Sequence, residues 1–455
     1  MTHAGRRRRH SPECDTSDSS GADPPSSSGG PRASGRLALA LAAHRLAFCA
    51  VRSRPSSALR AFRPALAGVV GIALLGPGVP AAVPQSDDGE RVTFRFEGRG
   101  WGHGVGMSQY GAFGRARAGW SAARILRHYY RGTALGRTPN RSMRVLLAEG
   151  RPRLALSSKG AVTILDSGGR RRLTVPSGVT VAVARTRDGG IAVTRAGERG
   201  VRMVGPLTIS TRGAQGIAWG PRRPSAERSY RGRMVLAADG PRRLRLINRV
   251  PLETYLRGVV PREMPARWGD DAPAALRAQA VAARSYALAT RRRGQDFDAY
   301  DDVRSQVYGG MAAEDRRTDR AIAATRGRVV THSGRVATTF FFSTSGGRTE
   351  DAGNVFGSSA PYLRSVADPF DRGSPYHRWP DPPTFTDDEL GRALALGSPV
   401  AALRVLSRGR SPRVIEALVV TRSGARHRRS GAELRRALGP VSYTHLTLPT
   451  KESRG

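Results

Sequence analysis

From Met143 to about Asn248 the chain alternates apolar and polar residues in short runs. Val179-Thr180-Val181-Ala182-Val183 and Ile191-Ala192-Val193 are examples, with turns such as Asp188-Gly189-Gly190 between such runs. At Pro251 the period changes. Leu252-Glu253-Thr254-Tyr255-Leu256 opens a helix with proline near its first position and an acid in its first turn. The prolines of Pro261-Arg262-Glu263-Met264-Pro265 are expected to break it, because proline lacks a backbone donor. Pro273 then opens a longer helix whose Leu276, Ala280, Ala283 and Ala287 form a small-residue stripe suited to close packing. Strands followed by helices give an α+β chain of mixed helices and antiparallel strands, with the β-rich stretch as an insertion or subdomain.

The remaining pattern divides around this switch. Val92-Thr93-Phe94-Arg95-Phe96 alternates like a strand, a glycine-rich segment runs from Gly98 to Gly114, and helical spacing follows through Trp120, Ile125, Leu126 and Tyr129. Residues 328–343 read as two strands about a Ser333-Gly334 turn, and an α+β segment follows Trp379. The expected units are a leader at 1–82, a glycine-rich plus β-rich unit at 83–245, a catalytic unit at 246–378 and a C-terminal segment at 379–440. Residues 441–455 lack the arginine bias of the rest and match a translated sequencing adaptor. They are expected to be foreign to the fold.

The formal net charge is +39, almost all of it arginine, since Lys159 and Lys451 are the only lysines. An excess this large calls for an anionic partner. Residues 1–36 are rich in Ser, Gly, Pro and Arg and cannot bury enough apolar surface to fold. Arg54, Arg60 and Arg63 precede an apolar run from Ala65 to Leu75 and a small-residue stretch at 79–82. That order is a secretory signal near 51–82, and the run is shorter than the roughly twenty residues of a membrane span. Cys14 and Cys49 both precede the expected cleavage point, which leaves no disulfide framework in the exported chain. The leader holds eleven arginines against four acids, so +32 stays with the remainder. Outside the cell such a charge meets phosphate- and carboxylate-bearing wall polymers rather than nucleic acid, and no nucleic-acid-binding motif accompanies it.

Glu263 stands between two prolines in a short segment joining two helices. A carboxylate so held can serve as a general acid if partly buried at a groove, and can equally be a cap or surface glutamate. The glycine run offers no nucleotide site, because no G-x-G-x-x-G passes through Gly98, Gly100, Gly102, Gly104 and Gly106, and no Walker lysine follows. It reads as a close-packed structural segment that can also line a groove.

Several ordered motifs resemble the stage II sporulation protein D / amidase-enhancer family. They are VPLETYLRGVVPREMP at 250–265, ALRAQAVAARSYAL at 275–288, SQVY at 305–308, STSGGRTE at 343–350, PYLRSV at 361–366 and GWGHGVGMSQYGA at 100–112. The resemblance implies a peptidoglycan lytic transglycosylase with Glu263 as its catalytic acid, or an enhancer that binds glycan for a wall amidase. It implies that Arg284, Tyr362 and Arg364 bind substrate, with Arg284 on a lactyl carboxylate or orienting Glu263, and Tyr362 on a sugar face or on the acid; the residues themselves also allow Arg284 a helix-to-sheet ion pair and Tyr362 a place in the core. Relatives often carry lysine where Arg364 stands, and a planar fork does not freely replace a point charge. Some relatives bind zinc through Cys and His before the Gln-Val-Tyr motif. Here Asp298-Ala299-Tyr300-Asp301-Asp302-Val303-Arg304-Ser305 has neither residue type, so no metal and no cofactor is expected and the three aspartates read as a solvated loop. The implied partners are peptidoglycan glycan strands, anionic wall polymers and a wall amidase.

Overall fold

The computed structural model describes residues 92–169 and 172–438, and the expected leader, signal and foreign tail lie outside them. The chain is α+β, as its periodicity implies. Alternation between Met143 and Asn248 becomes two sheets that share one core, antiparallel except for the edge strand Ala299–Tyr300, which runs parallel to Ser142–Arg151. The larger sheet carries, in spatial order, the strands Ala299–Tyr300, Ser142–Arg151, Leu244–Pro251, Arg233–Ala238, Leu207–Thr211, Val162–Leu165 and Arg172–Val175. The smaller runs Val201–Met203, Ile191–Arg195, Val181–Arg185, Arg153–Ser158, Ile217–Gly220 and Ser225–Tyr230. Inward residues of both sheets, among them Ile164, Ile209, Leu236, Leu154, Val183 and Val193, are buried together. Ser142–Arg151 pairs directly with Leu244–Pro251, so the β sandwich is an excursion that leaves and rejoins the chain at one place.

That return delivers the chain to the helix Leu252–Glu263, with Pro251 as its N-cap. The expected break falls within 261–265, although the helix runs through Pro261 itself. It ends two residues later, where Met264 precedes Pro265, whose ring disfavours the helical conformation in the residue before it. Met264 is accordingly extended, at φ −132° and ψ 135°. The helix Pro273–Ala289 buries its stripe of Leu276, Ala280, Ala283 and Ala287 and packs against the helices Gln109–Arg117, Ala122–Tyr129, Leu252–Glu263 and Arg316–Ala324. The Ser333-Gly334 turn forms as expected, both residues left-handed, between the strands Arg328–His332 and Arg335–Val336. Phe341–Phe342 is a separate strand, parallel to Met107–Ser108.

One helix begins inside the glycine-rich run. Gln109–Arg117 is capped by Ser108, whose Oγ accepts from Gly111 N at 3.1 Å. A Cβ at Gly111 would lie 2.2 Å from the Tyr129 hydroxyl, so glycine there allows the two helices to touch. The C-terminal sheet Val400–Arg408, Val414–Thr421 and Arg426–Ser430 builds a second core, which includes Phe94 and Phe96. The strand Thr93–Arg95 pairs with Thr384–Thr386, so the start of the described chain belongs with its end. No helix among the described residues is long and apolar enough to cross a membrane.

Candidate active site

Glu263 closes the signature helix, and the extended turn before Pro265 fixes how the chain leaves it. Its backbone carbonyl accepts a 2.8 Å hydrogen bond from Gln109 Nε2. Gln109 is buried and Glu263 half-buried. The next residue, Tyr110, meets Trp268 edge-on at 4.8 Å, and Phe113 stacks on the same indole at 4.4 Å. Burial raises the Tyr110 phenol above its usual range, with Arg267 opposing and Tyr376 adding to the rise, so both groups act on Tyr110 electrostatically. Tyr376 packs on Trp101 at 4.5 Å, and both rings are partly exposed. Half-buried Glu263 thus ends one helix where Gln109 and Tyr110 begin another, and the exposed Arg267 and partly open Tyr376 act on Tyr110. Proton transfer to a sugar resting on an aromatic surface is chemistry that such a set can perform.

Arg284 is not presented to this site. Its side chain is 0 % exposed and forks onto Glu253, Nε at 2.9 Å and Nη2 at 2.7 Å. Its Nη1 also donates to the Arg328 carbonyl at 3.1 Å. The guanidinium thus joins the signature helix, the alanine-lined helix and the strand Arg328–His332. The expectation of direct substrate contact is corrected to an internal ion pair, because no face of the group reaches solvent. Tyr362 is half-buried, its hydroxyl accepting from Thr338 N at 3.0 Å and its ring 5.1 Å from His332. Arg364 is exposed, with Nη1 3.8 Å from Asp351 Oδ2. The contacts of these two residues are thus to Thr338, His332 and Asp351, while Gln109 holds the Glu263 backbone.

The glycine-rich run is close-packed, as its composition suggested. A Cβ at Gly106 would lie 2.1 Å from the Phe340 carbonyl oxygen, and Gly106 has φ +80°. His103 takes Val105 N–H on Nδ1 at 3.1 Å, so its proton is on Nε2, which donates to the Phe341 carbonyl at 3.1 Å. It fastens the run to the Phe341–Phe342 strand rather than binding a ligand. The three aspartates do not form a solvated loop. Burial alone would raise the Asp298 carboxyl, but hydrogen bonds from Arg144 and Arg291 hold it below its usual range. Asp302 pairs with Arg304 at 2.8 Å, while burial and the Asp302 charge push Asp301 up to about 7. Among the described residues no three of His, Cys, Asp or Glu converge on a metal site.

One further pair gave no signal in the sequence. His377 Nδ1 lies 2.7 Å from Asp371 Oδ1, and Asp371 also accepts from Ser345 Oγ at 2.8 Å and Gly346 N at 2.7 Å. Burial and the neighbouring Asp368 raise the Asp371 carboxyl. Gln109, Tyr110, Arg267 and Tyr376 were likewise not read as site residues. The only available signal was the motif membership of Gln109 and Tyr110, since nothing in one sequence pairs residue 109 with residue 263.

The family model described as Stage II sporulation protein matches residues 241–332. The chain is 34% identical over 167 residues to the stage II sporulation protein D of Bacillus subtilis, covering 33% of this chain and 47% of that protein. It is 37% identical over 147 residues to the Bacillus amyloliquefaciens protein of that name, covering 28% and 42%. To the amidase enhancer of Bacillus subtilis it is 40% identical over 114 residues, 25% of this chain and 15% of that protein. The chain thus spans less than half the length of each of these relatives. No solved structure matches it.

Proposed function

Because a stage II sporulation protein D domain runs through residues 241–332, we propose that the protein acts on the bacterial cell wall as a lytic transglycosylase of peptide-stripped glycan strands. The carrying observation is the fixed end of the signature helix, where Gln109 grips the Glu263 carbonyl at 2.8 Å beside Tyr110 and Trp268. In this reading the Glu263 carboxyl protonates the oxygen between N-acetylmuramic acid and N-acetylglucosamine as the bond to the muramic C1 breaks. The resulting carboxylate takes the proton of the muramic 6-hydroxyl, whose oxygen closes on C1. The products are a free N-acetylglucosamine hydroxyl and a 1,6-anhydro end, and Glu263 regains its proton. No water enters, so one carboxyl serves where glycosidases that use water need two. Acid–base help of this kind is worth roughly 10²–10⁴-fold in rate.

Arg284 supports this arrangement from within, by holding the signature helix through Glu253. Export through the segment near 51–82 belongs to the same proposal, since the substrate lies outside the membrane. A second reading is favoured by the 40% identity to an amidase enhancer: the domain binds glycan and promotes cleavage by a wall amidase. Incubating the full chain with glycan strands, with and without stem peptides, tests the choice by mass spectrometry. Anhydro-muramic ends from the wild type and none from Glu263→Gln support the transglycosylase. Intact strands that are bound but not cut, together with faster amidase cleavage when the protein is added, support the enhancer.

A further inference from the structure

A cleft of about 660 Å³ opens where the start of the described chain, the loop after Tyr376 and the hairpin at 408–412 meet. Arg95, Arg99, Arg378 and Arg408 line it, against Glu97 as its only acid, with Trp379 at its base. Glu263, Gln109, Tyr110 and Arg267 are not among its lining residues.

The cleft is preformed. Trp379 is tied down by Nε1 to the Gly100 carbonyl at 3.0 Å and by its N–H to the Gly98 carbonyl at 2.9 Å. A Cβ at Gly98 would lie 2.5 Å from the indole, so the chain can pass there only as glycine. On the opposite wall, Glu350 accepts from Ser411 N at 3.0 Å and Arg410 N at 3.2 Å and fixes the hairpin. Arg95 reaches Glu97 only at 3.8 Å, both largely exposed. Arg99 and Arg378 have no acidic partner among the described residues. Guanidinium groups crowded around one carboxylate repel one another until an anion enters, and their planar forks match phosphate and carboxylate geometry.

The same two segments carry the aromatic pair of the candidate active site. Arg99 is two residues before Trp101, Arg378 is two after Tyr376, and Gly100 N donates to the Tyr376 carbonyl at 2.7 Å. Two extended residues span about 7 Å. A chain molecule seated in the cleft is therefore within reach of the rings beside Tyr110.

We propose that this cleft is a binding subsite for an anionic polysaccharide, one bearing phosphate or carboxylate groups along its sugar or polyol chain. Anion binding here stands apart from the chemistry at Glu263; only the continuation of the bound chain toward Glu263 rests on the wall-directed reading.

The test is a binding titration of the full chain, across a salt series, with fluorescent poly(glycerol phosphate) and fluorescent polygalacturonate. Two double variants each remove two positive charges: Arg99→Ala/Arg378→Ala in the cleft, and Arg187→Ala/Arg199→Ala on exposed turns of the β sandwich. The cleft pair is expected to weaken binding by about tenfold or more, as two lost charge-assisted contacts imply. It should also flatten the plot of log affinity against log salt by about 1.4, taking roughly 0.7 per contact as for a single-stranded polyanion. The polymer that shows the loss identifies phosphate or carboxylate as the group bound. Equal losses from the two pairs, or no binding of either polymer, would overturn the proposal in favour of diffuse charge. Tighter, cleft-dependent binding of single-stranded DNA would overturn it in favour of nucleic acid. Glu263→Gln should bind both polymers like the wild type, so failure at Glu263 leaves this result readable.

Discussion

Replacing Arg284 with methionine should cost about 4 kcal/mol of stability. Glu253 accepts two hydrogen bonds from the Arg284 fork and a third from Gly327 N at 3.1 Å, with the two side chains 0 % and 8 % exposed. Arg284→Met leaves a buried carboxylate with the Gly327 amide alone. Each charge-assisted hydrogen bond contributes roughly 1.5–3 kcal/mol, so two contribute roughly 3–6. Removing one partner of a buried pair costs about 3–5 kcal/mol, which agrees. About 4 kcal/mol is nearly a thousandfold in the folding equilibrium. Arg284→Lys keeps the charge but loses the fork and should cost about half as much. Arg284→Met with Glu253→Leu should recover most of the loss, because an apolar pair of similar volume replaces a buried ion pair at little net cost. Urea unfolding without any glycan reads all three. A loss below about 1 kcal/mol for Arg284→Met, or no recovery in the double variant, would refute the internal role and return Arg284 to the list of candidate ligand contacts.

Three other outcomes follow from the geometry. Asp301 is pushed up to about 7 from an unfolded value near 3.9, so the native state holds its proton more tightly. Its contribution is fully present below about pH 4 and is lost as pH rises through about 7; Asp301→Asn should flatten thermal stability across that window, and an unchanged pH profile would contradict the assignment. Gly106→Ala puts a methyl 2.1 Å from the Phe340 carbonyl oxygen at a left-handed backbone position, so it should cost at least about 2 kcal/mol; thermal melts showing less than half of that would mean the glycine run yields freely. Gln109→Ala removes the grip on the Glu263 carbonyl and should lower kcat on glycan strands by about tenfold with KM little changed. A loss of stability with kcat intact would make that bond structural only.

Period-two alternation was enough to read the β stretch, because strands half-buried against one core must alternate. The change of period at Pro251 was equally plain. The helix end could be placed only within 261–265, since Pro261 sits within the last turn while Pro265 acts on the residue before it. Gln109–Arg117 was hidden because glycines at 111 and 114 look like loop residues, yet they are there for helix contact with Tyr129 and Phe370. Glu263 could be singled out by its flanking prolines and motif. Its companions could not, because packing between segments far apart in the chain brings Gln109 to Glu263 and Tyr376 to the neighbourhood of Tyr110. Arg284 stayed open between a ligand contact and a helix-to-sheet ion pair for a related reason: an arginine in a motif is as readily one as the other, and only burial separates the two.

The central claim is that Glu263 drives an intramolecular ring closure. It is tested most directly by digesting peptide-stripped glycan strands in water enriched in heavy oxygen, with Glu263→Gln alongside, and weighing the new muramic ends. Anhydro ends free of heavy oxygen are expected from the wild type, and no new ends from a folded Glu263→Gln protein. Heavy oxygen in the wild-type ends, or undiminished cleavage by Glu263→Gln, would contradict it.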